Sequence, residues 1–388
     1  MKIQRWKRIL LWLGGVALLA ISSLMLFSAT LVDRLLNRTA WDKKCAITPE
    51  AEALHKALTI AHLHDDALMW PRDPLKRHGN GHVDMPRMVE GNQALQTFSI
   101  VTQPNFRQLG GLDAAGLLFF VERWPMRTWS SLIERAKYQA QRFHDLETRS
   151  NGAFRCILTA KQLDDFLAAR AANPQLTAGL LSVEGLHCLE GKAENVDVLY
   201  DAGVRMAGFA HFSDNETGGS AHGLQRGGLT PLGEDVLKRL EEKHIIVDLA
   251  HASEKLLDDV LDRATRPLLV SHTGIKGAYD SERNITDAHA RRVAEKGGII
   301  GIAYFHWVTG GNDIPAIVRS IRYGIQLVGV DHIALGSDFD GTVKVPLDCS
   351  GLAMITSELL REEVSEDDIV KIMGGNVMRL LRETLPKE

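Results

Sequence analysis

The stretch TPLGEDVLKRLEEKHIIVDLAH, residues 230–251, decides the fold class that this sequence predicts. Its first part has the spacing of an amphipathic helix, with apolar residues on one face and charged residues on the other. Its second part is a short apolar run rich in Ile, Leu and Val, which indicates a buried strand. Alternation of helix with buried strand predicts a parallel sheet, because parallel strands need crossover connections.

Apolar runs of the same kind recur along the chain, and together they predict eight buried strands. These runs are residues 58–64, 94–101, 179–185, 204–211, 244–251, 267–273, 297–305 and 332–341. Eight such units favour a closed (β/α)8 TIM barrel of class α/β over an open sheet. The long connection between the second and third strands predicts a helical insertion packed around or over the barrel mouth. One of its helices should start at Thr159, with Gln162 completing a capping box.

The composition limits the classes of function. A chain of 388 residues that is 45% hydrophobic can bury a large core. Its 45 basic side chains nearly balance 49 acidic ones, so no nucleic-acid partner is predicted and a small, roughly neutral substrate is expected. The four cysteines are far apart, which argues against a thiolate zinc site or a dense disulfide framework and leaves one disulfide open.

The amino terminus predicts a membrane anchor. Basic residues in positions 1–8 precede an uncharged apolar run, 9–32, that is long enough to cross a hydrocarbon layer of about 30 Å. A cleavable signal peptide is the alternative, but its apolar region is usually shorter and no clear cleavage site follows. The predicted organisation is a cytoplasmic N-terminus at 1–8, a transmembrane anchor at 9–32, a tether at 33–49, and an extracytoplasmic barrel domain at 50–388, periplasmic if the source is bacterial.

Titratable residues stand at the ends of the predicted strands. They are His62, His64, Asp66, Glu184, His211, His251, His272, Asp338 and Asp340. In a barrel these strand ends converge on one face, where active sites are built. Imidazoles and carboxylates together suit Zn²⁺ or a similar divalent ion, and two ions sharing a carboxylate would activate water for hydrolysis.

Each of these residues alone would also fit a structural role. A lone His-x-Asp pair or a lone core histidine is commonly satisfied by hydrogen bonds, so it is the coincidence at the strand ends that predicts a metal site. Asp248 is expected to support the scaffold or a ligand histidine. Seven other histidines do not stand at predicted strand ends and are interpreted as surface or loop residues: His55, His78, His82, His187, His222, His289 and His306.

From about residue 58 to residue 382 the chain resembles the membrane dipeptidases, zinc peptidases of the amidohydrolase superfamily. Short segments in the same order carry the resemblance. They are HLHDD (62–66), HVDMPRMVEGNQALQTFSIV (82–101), SVEG (182–185), GVRMAGFAH (203–211), GLTPLGEDVLKRL (228–240), VDLAHAS (247–253), VSHT (270–273), ERN (282–284) and GSDFDG (336–341).

The resemblance implies a metal site with two Zn²⁺ ions bridged by Glu184 and a hydroxide. His64 and Asp66 would bind one ion, and His251 and His272 the other. One departure leaves an alternative open, because the family commonly has an acidic residue and a glycine where this chain has His62 and Leu63. Other amidohydrolases bind metal through His-x-His, so His62 is an alternative to Asp66 as the partner of His64.

The resemblance also implies residues that handle the substrate. His211 would bind the scissile carbonyl and the developing oxyanion, and Arg283 would grip the terminal carboxylate of a dipeptide. Asp338 would act as the acid/base residue that passes a proton to the leaving amine.

The expected function is a membrane-anchored dizinc dipeptidase acting outside the cytoplasm, with a homodimer as an open alternative to a monomer. Two other functions stay open: a related amidohydrolase acting on another small amide, lactam or lactone, and a metal-retaining binding protein without turnover.

Overall fold

Parallel strands form the framework of the described part of the chain, which comprises residues 12–16, 29–103, 119 and 122–388 of a computed structural model. In chain order the strands are β1 (Arg38–Thr39), β2 (Ile60–His62), β3 (Gln93–Val101), β4 (Phe154–Cys156), β5 (Thr177–Glu184), β6 (Val204–Gly208), β7 (Ile246–Asp248), β8 (Leu269–Thr273), β9 (Ile299–Ile302), β10 (Ile333–Leu335) and β11 (Lys344–Val345).

Helices follow or connect most of these strands. They are α1 (Pro49–Ala57), α2 (Met85–Glu90), α3 (Leu132–Arg149), α4 (Ala160–Ala172), α5 (Asn195–Asp201), α6 (Pro231–Glu242), α7 (Glu254–Arg263), α8 (Asp287–Glu295), α9 (His306–Thr309), α10 (Ile314–Val328), α11 (Ala353–Arg361), α12 (Glu366–Val370) and α13 (Asn376–Thr384). The stretch quoted first begins as predicted, because Thr230 caps α6 by accepting from the amide of Gly233 at 3.0 Å.

The strands close into a barrel. Their order is β3-β2-β10-β9-β8-β7-β6-β5, and β3 also pairs with β5, which leaves no open edge between them. All of these pairings are parallel, and the eight strands coincide with the eight predicted apolar runs. The predicted (β/α)8 barrel is therefore confirmed.

Most of the core lies in two apolar layers, and a smaller third cluster contains Trp70 and Trp124. The larger cluster joins outer strand residues such as Val183 and Val247 to helix residues such as Val236 and Val260. The second cluster combines strand residues with α13: Met206, Ile246, Leu269, Ile299, Val377 and Leu381. Both layers follow from the strands being buried on their two faces, as expected for parallel strands covered by helices.

The insertion between β3 and β5 contains α3 and α4, as predicted, but it also contains a strand that the sequence did not indicate. Strand β4 pairs with the first residues of β5, outside the closed barrel. Helix α4 begins after Thr159, whose hydroxyl accepts from the amide of Gln162 at 3.1 Å. The Gln162 side chain accepts from Leu158 at 2.8 Å, one residue before the predicted capping-box partner.

The segment expected to be a tether packs on the barrel instead. Residues 29–36 are helical, and β1 adds in parallel to β11, with Arg38 opposite Lys344. The predicted membrane helix at 9–32 lies mostly outside the described residues. Within the described ranges, no helix is long and apolar enough to cross a bilayer. All four cysteines are described and free, so the disulfide left open by the sequence is not formed.

Candidate metal centre

The ends of six barrel strands bring buried imidazoles and carboxylates together. Glu184 ends β5 and His272 lies in β8, whereas the other members follow the ends of β2, β6, β7 and β10. Three overlapping groups have ligand atoms within 4.8 Å of one another: His64, Glu184 and His272; Glu184, His211 and His251; and His64, Asp66 and Asp338. All of these side chains are buried. The strand-end placement predicted from the sequence therefore holds for every one of them.

Glu184 lies at the centre of the cluster, and its two carboxylate oxygens face different partners. Oε1 lies 3.0 Å from Nε2 of His251 and 3.1 Å from Nε2 of His272. Oε2 lies 3.8 Å from Nε2 of His64 and 3.4 Å from Nε2 of His211. The chain turns directly after this residue at Gly185, where φ is +77° and a Cβ would lie 3.0 Å from the Cβ of His211.

The second half of the cluster is carboxylate-rich. Nε2 of His64 lies 3.2 Å from Oδ1 of Asp66 and 3.8 Å from Oδ1 of Asp338. The His64 ring stacks on the ring of His272 with centroids 3.7 Å apart, so the two halves are in direct contact. His251 and Asp338 both have left-handed backbones, with φ of 61° and 63°. Such conformations are uncommon outside glycine and often occur at functional sites.

The donor set fits a divalent metal. Nε2 of His64, Oδ1 of Asp66 and both oxygens of Glu184 are buried without a hydrogen-bond partner among the described residues. Nε2 of His251 lies only 3.0 Å from Nε2 of His272, while both face Oε1 of Glu184. Buried polar atoms without partners are costly, and a cation placed among them would satisfy these lone pairs together. Nitrogen and carboxylate ligands of this kind suit zinc.

The electrostatics of the cluster agree with that fit. Burial lowers the pKa of His251 and of His272 well below the ordinary value, which leaves neutral imidazoles with lone pairs for a metal. Burial also raises the pKa of Glu184 well above its ordinary value. Burial alone would lower the pKa of His64, but Glu184, Asp66 and Asp338 raise it to about 10. The three carboxylates therefore favour a positive charge close to Nε2 of His64, which a metal ion could provide.

A comparison with known proteins identifies the family of this chain. The chain matches the membrane dipeptidase family (peptidase family M19) over residues 48–386. This chain belongs to the membrane dipeptidase family. It is a metallo-dipeptidase, and membership in this metallopeptidase family implies zinc. The family resemblance predicted from the sequence motifs is thereby confirmed.

Two curated relatives agree with the family assignment, and a solved structure shares the fold. Dipeptidase aclJ of Aspergillus oryzae is 32% identical over 343 residues, which cover 82% of this chain and 76% of that protein. Dipeptidase tcpJ of Claviceps purpurea is 29% identical over 312 residues, covering 78% and 69%. A metallopeptidase from Rhodobacter sphaeroides, solved with a phosphinate mimic of the dipeptide L-Ala-D-Ala, shares the fold with a TM-score of 0.70 at 22% identity. That match covers 84% of this chain and 99% of that one.

A hydrogen-bond relay orients one histidine of the dipeptidase. The Ser271 hydroxyl donates to Oδ2 of Asp248 at 2.5 Å and accepts from Nδ1 of His272 at 2.7 Å. With its proton on Nδ1, His272 presents the Nε2 lone pair toward Glu184. Asp248 thus supports a candidate ligand histidine, as expected, but it does so through Ser271, which the sequence analysis missed. The hydroxyl residue directly before the strand-end histidine in VSHT was the available signal.

His62 lies outside the three groups of candidate ligands. Its Nε2 pairs with the Tyr304 hydroxyl at 2.8 Å, and its ring packs 5.7 Å from that of Phe339. Burial lowers the pKa of His62 to about 3, so it serves as a neutral core residue. Of the two alternatives left open by the sequence, the side chain close to Nε2 of His64 is therefore Asp66.

Arg283 contacts both His251 and His272. Its guanidinium donates to the carbonyl of His272 at 2.6 Å and lies 3.0 Å from Nε2 of His251. A cavity of about 450 Å³ is lined by Arg283 and His251, together with Arg226 and Lys276. This cavity provides space for a small ligand beside the candidate metal ligands of the dipeptidase, and the Arg283 side chain lines it.

Several interpretations of the remaining polar residues were wrong. Asp340 turns away from the cluster, and its carboxylate accepts from the amides of His82 and Val83 at 2.8 and 3.2 Å. Of the histidines interpreted as surface or loop residues, His55, His187 and His289 are instead buried in helices, and His82 lies in a loop but is buried. His222 is partly buried, its ring lies 5.4 Å from that of His251, and its Nε2 has no hydrogen-bond partner in the described chain. His306 is exposed, as predicted.

Proposed function

We propose that this dipeptidase binds two zinc ions, with Glu184 as the bridging ligand. The observation that supports this most is the division of its carboxylate, with Oε1 facing His251 and His272 and Oε2 facing His64. His64 and Asp66 would hold one ion, and His251 and His272 the other. When bound, the two ions would supply an activated bridging water and polarise the carbonyl of the scissile bond.

The remaining residues of the cluster would act on the dipeptide. His211 lies 3.4 Å from Oε2 of Glu184, and burial lowers its pKa well below the ordinary value. A neutral imidazole here can donate a hydrogen bond to the carbonyl oxygen as negative charge develops on it. Asp338 lies beside His64 and would transfer the proton to the departing amine. His211 and Asp338 both lie in segments that carry the family resemblance, GVRMAGFAH (203–211) and GSDFDG (336–341), and the proposed roles are those that the resemblance implies.

Arg283 should make hydrolysis depend on a free carboxylate at the C-terminus of the substrate. Its planar guanidinium can bind a carboxylate with two parallel hydrogen bonds, which an ammonium group cannot reproduce. We expect the zinc-loaded enzyme to prefer dipeptides over their C-terminal amides by about 10- to 100-fold in kcat/KM, because hydrogen bonds to charged groups contribute about 1.5–3 kcal/mol. Arg283→Lys should lose most of this preference.

This expectation is tested with L,L and L,D dipeptides, their amides, and a set of lactams and lactones. Arg263→Lys is a matched control, because Arg263 is an exposed residue that pairs with Glu234 at the surface. Equal or better hydrolysis of lactams or lactones would favour the related amidohydrolase function instead. A protein that retains zinc but hydrolyses none of these compounds would be a binding protein.

The apolar run at residues 9–32 would anchor this dipeptidase in a membrane, with the barrel outside the cytoplasm. Three of its described residues are exposed apolar side chains, as an anchor requires: Trp12, Leu13 and Val16 are 77%, 60% and 54% exposed, whereas Ala29 near the end of the run is buried. The full chain should stay with the membrane fraction after a carbonate wash. Replacing both Leu13 and Val16 with lysine should release it, because charges inside an apolar span are costly. Wild-type protein found in the wash would contradict the anchor.

A further inference from the structure

Residues 33–40, which precede the family match at residue 48, contact the loop that carries Asp338. We call residues 33–40 the N-terminal clamp and residues 336–342 the Asp338 loop. Strand β1 within the clamp pairs with β11 directly after this loop. The amide of Arg38 donates to the carbonyl of Val343 at 3.0 Å, and that of Ala40 to Val345 at 2.8 Å. The clamp is therefore joined to the chain leaving the loop.

The Asp338 loop has a backbone that needs support from its surroundings. Asp338, Asp340 and Thr342 all have left-handed backbones, with φ of 63°, 61° and 61°. Such a conformation is unfavourable for residues other than glycine and persists only where neighbouring contacts hold it. On one side, the Ser337 hydroxyl donates to the carbonyl of His64 at 3.0 Å. On the other side, Asp340 contacts the Trp70 indole, the amides of His82 and Val83 and the Arg72 side chain, and the amide of Thr342 donates to Asn37 of the clamp.

An ionic route links the clamp to Asp340. Asp33 is fully buried, and its Oδ2 accepts from Nε of Arg72 at 2.7 Å. The same guanidinium places Nη2 2.8 Å from Oδ1 of Asp340. Arg72 thus lies between two buried carboxylates, with Asp65 as a further acidic neighbour. Removing the charge of Asp33 would leave the buried guanidinium of Arg72 with one anionic partner fewer. Since a buried charge without its partner is strongly unfavourable, Arg72 should then shift its position relative to Asp340.

A second route uses neutral hydrogen bonds. The Asn37 side chain donates to Oδ1 of Asp33 at 2.8 Å, and its Oδ1 accepts from the amide of Thr342 at 2.8 Å. The Asn80 side chain also donates to Asp33, at 2.5 Å. The clamp therefore contacts the Asp338 loop at two separate residues. Asp33 acts on Asp340 through the Arg72 guanidinium, and the Asn37 side chain binds the amide of Thr342 directly.

We infer that the N-terminal clamp supports the active site from outside, with Asp33 and Asn37 as positioning residues that hold Asp338 in place for proton transfer. The inference rests on the proposed role of Asp338. It extends the functional unit upstream of the family domain, to residues that touch neither the substrate nor the metal ligands. A displacement of about 1 Å at a reacting group can cost 10²-fold in rate, so these contacts should affect turnover.

The test measures kcat, KM, zinc content and local hydrogen exchange in the full chain carrying Asp33→Asn or Asn37→Ala. Asp33→Asn should lower kcat by about 10- to 100-fold with KM and zinc content within about twofold of wild type. Asn37→Ala should lower kcat by about fivefold, the value of one hydrogen bond of about 1 kcal/mol. Asp33→Glu, which keeps the charge, should restore part of the loss. Asp165→Asn is the control, because Asp165 forms an exposed ion pair with Lys161.

In both variants, amide exchange should accelerate within residues 338–342 but not in the barrel strands. Unchanged kcat and exchange in folded variants would overturn the inference, as would a fall in kcat that only follows loss of zinc or of folded protein. If Asp33→Asn does not fold, kcat and amide exchange of Asn37→Ala alone test the inference. Failure of the proposed function is distinguishable, because then the wild-type protein itself would not hydrolyse dipeptides or would not need Asp338, and the inference would fall with it.

Discussion

Glu184→Gln should abolish dipeptide hydrolysis and lower the zinc content from two ions per chain to one or none. The substitution keeps the size of the side chain but replaces one anionic oxygen with an amide nitrogen, which cannot bind a cation. Both candidate ion positions use this carboxylate, since its oxygens face His251 and His272 on one side and His64 on the other. Metal ions supply several kcal/mol of transition-state stabilisation, so activity should fall by roughly 10³-fold or more.

Zinc bound per chain, measured by elemental analysis after dialysis, and kcat/KM on one dipeptide check this expectation together. Glu52→Gln is a matched control, because Glu52 is exposed on α1 and its side chain forms an ion pair with Lys56 at the surface. Two ions retained in a Glu184→Gln protein would show that this carboxylate is not the bridging ligand. A wild-type chain that binds a single ion would contradict the two-ion proposal directly.

Asp338→Asn should remove turnover and leave the zinc content unchanged. Burial raises the pKa of Asp338 to about 7; Asp66 adds to this rise, whereas His64 and Arg283 oppose it. A carboxyl group that titrates near neutrality is suited to accept and return a proton, which contributes about 10²- to 10⁴-fold to a rate. Asparagine has nearly the same shape and also tolerates the left-handed backbone at this position, so the fold should be preserved.

Rates and zinc content of Asp338→Asn are compared with those of Asp331→Asn, which alters an exposed partner of Lys371. Turnover equal to wild type would refute the proton-transfer role. A parallel loss of zinc would instead indicate that Asp338 is a metal ligand, consistent with its position in one group with His64 and Asp66.

Local patterns in the sequence accounted for the barrel and for most of the candidate site. Each strand is a short apolar run next to an amphipathic helix, and such periodicity depends only on neighbouring residues. The candidate ligands could be predicted because a parallel barrel places all strand ends on one face, so position along the chain translates into position in space. The same logic failed for Asp340, because its position two residues beyond Asp338 in the loop turns its carboxylate toward Arg72 instead of toward the candidate metal ligands.

The sequence by itself determined the fold class, the family and the set of residues at the strand ends. Only the tertiary structure decided between His62 and Asp66 as the neighbour of His64, because His62 pairs with Tyr304, a residue distant in the chain. It also showed the relay through Ser271 and the contacts between the N-terminal clamp and the Asp338 loop. Those interactions join segments far apart in sequence, and neither periodicity nor spacing carries information about such pairings.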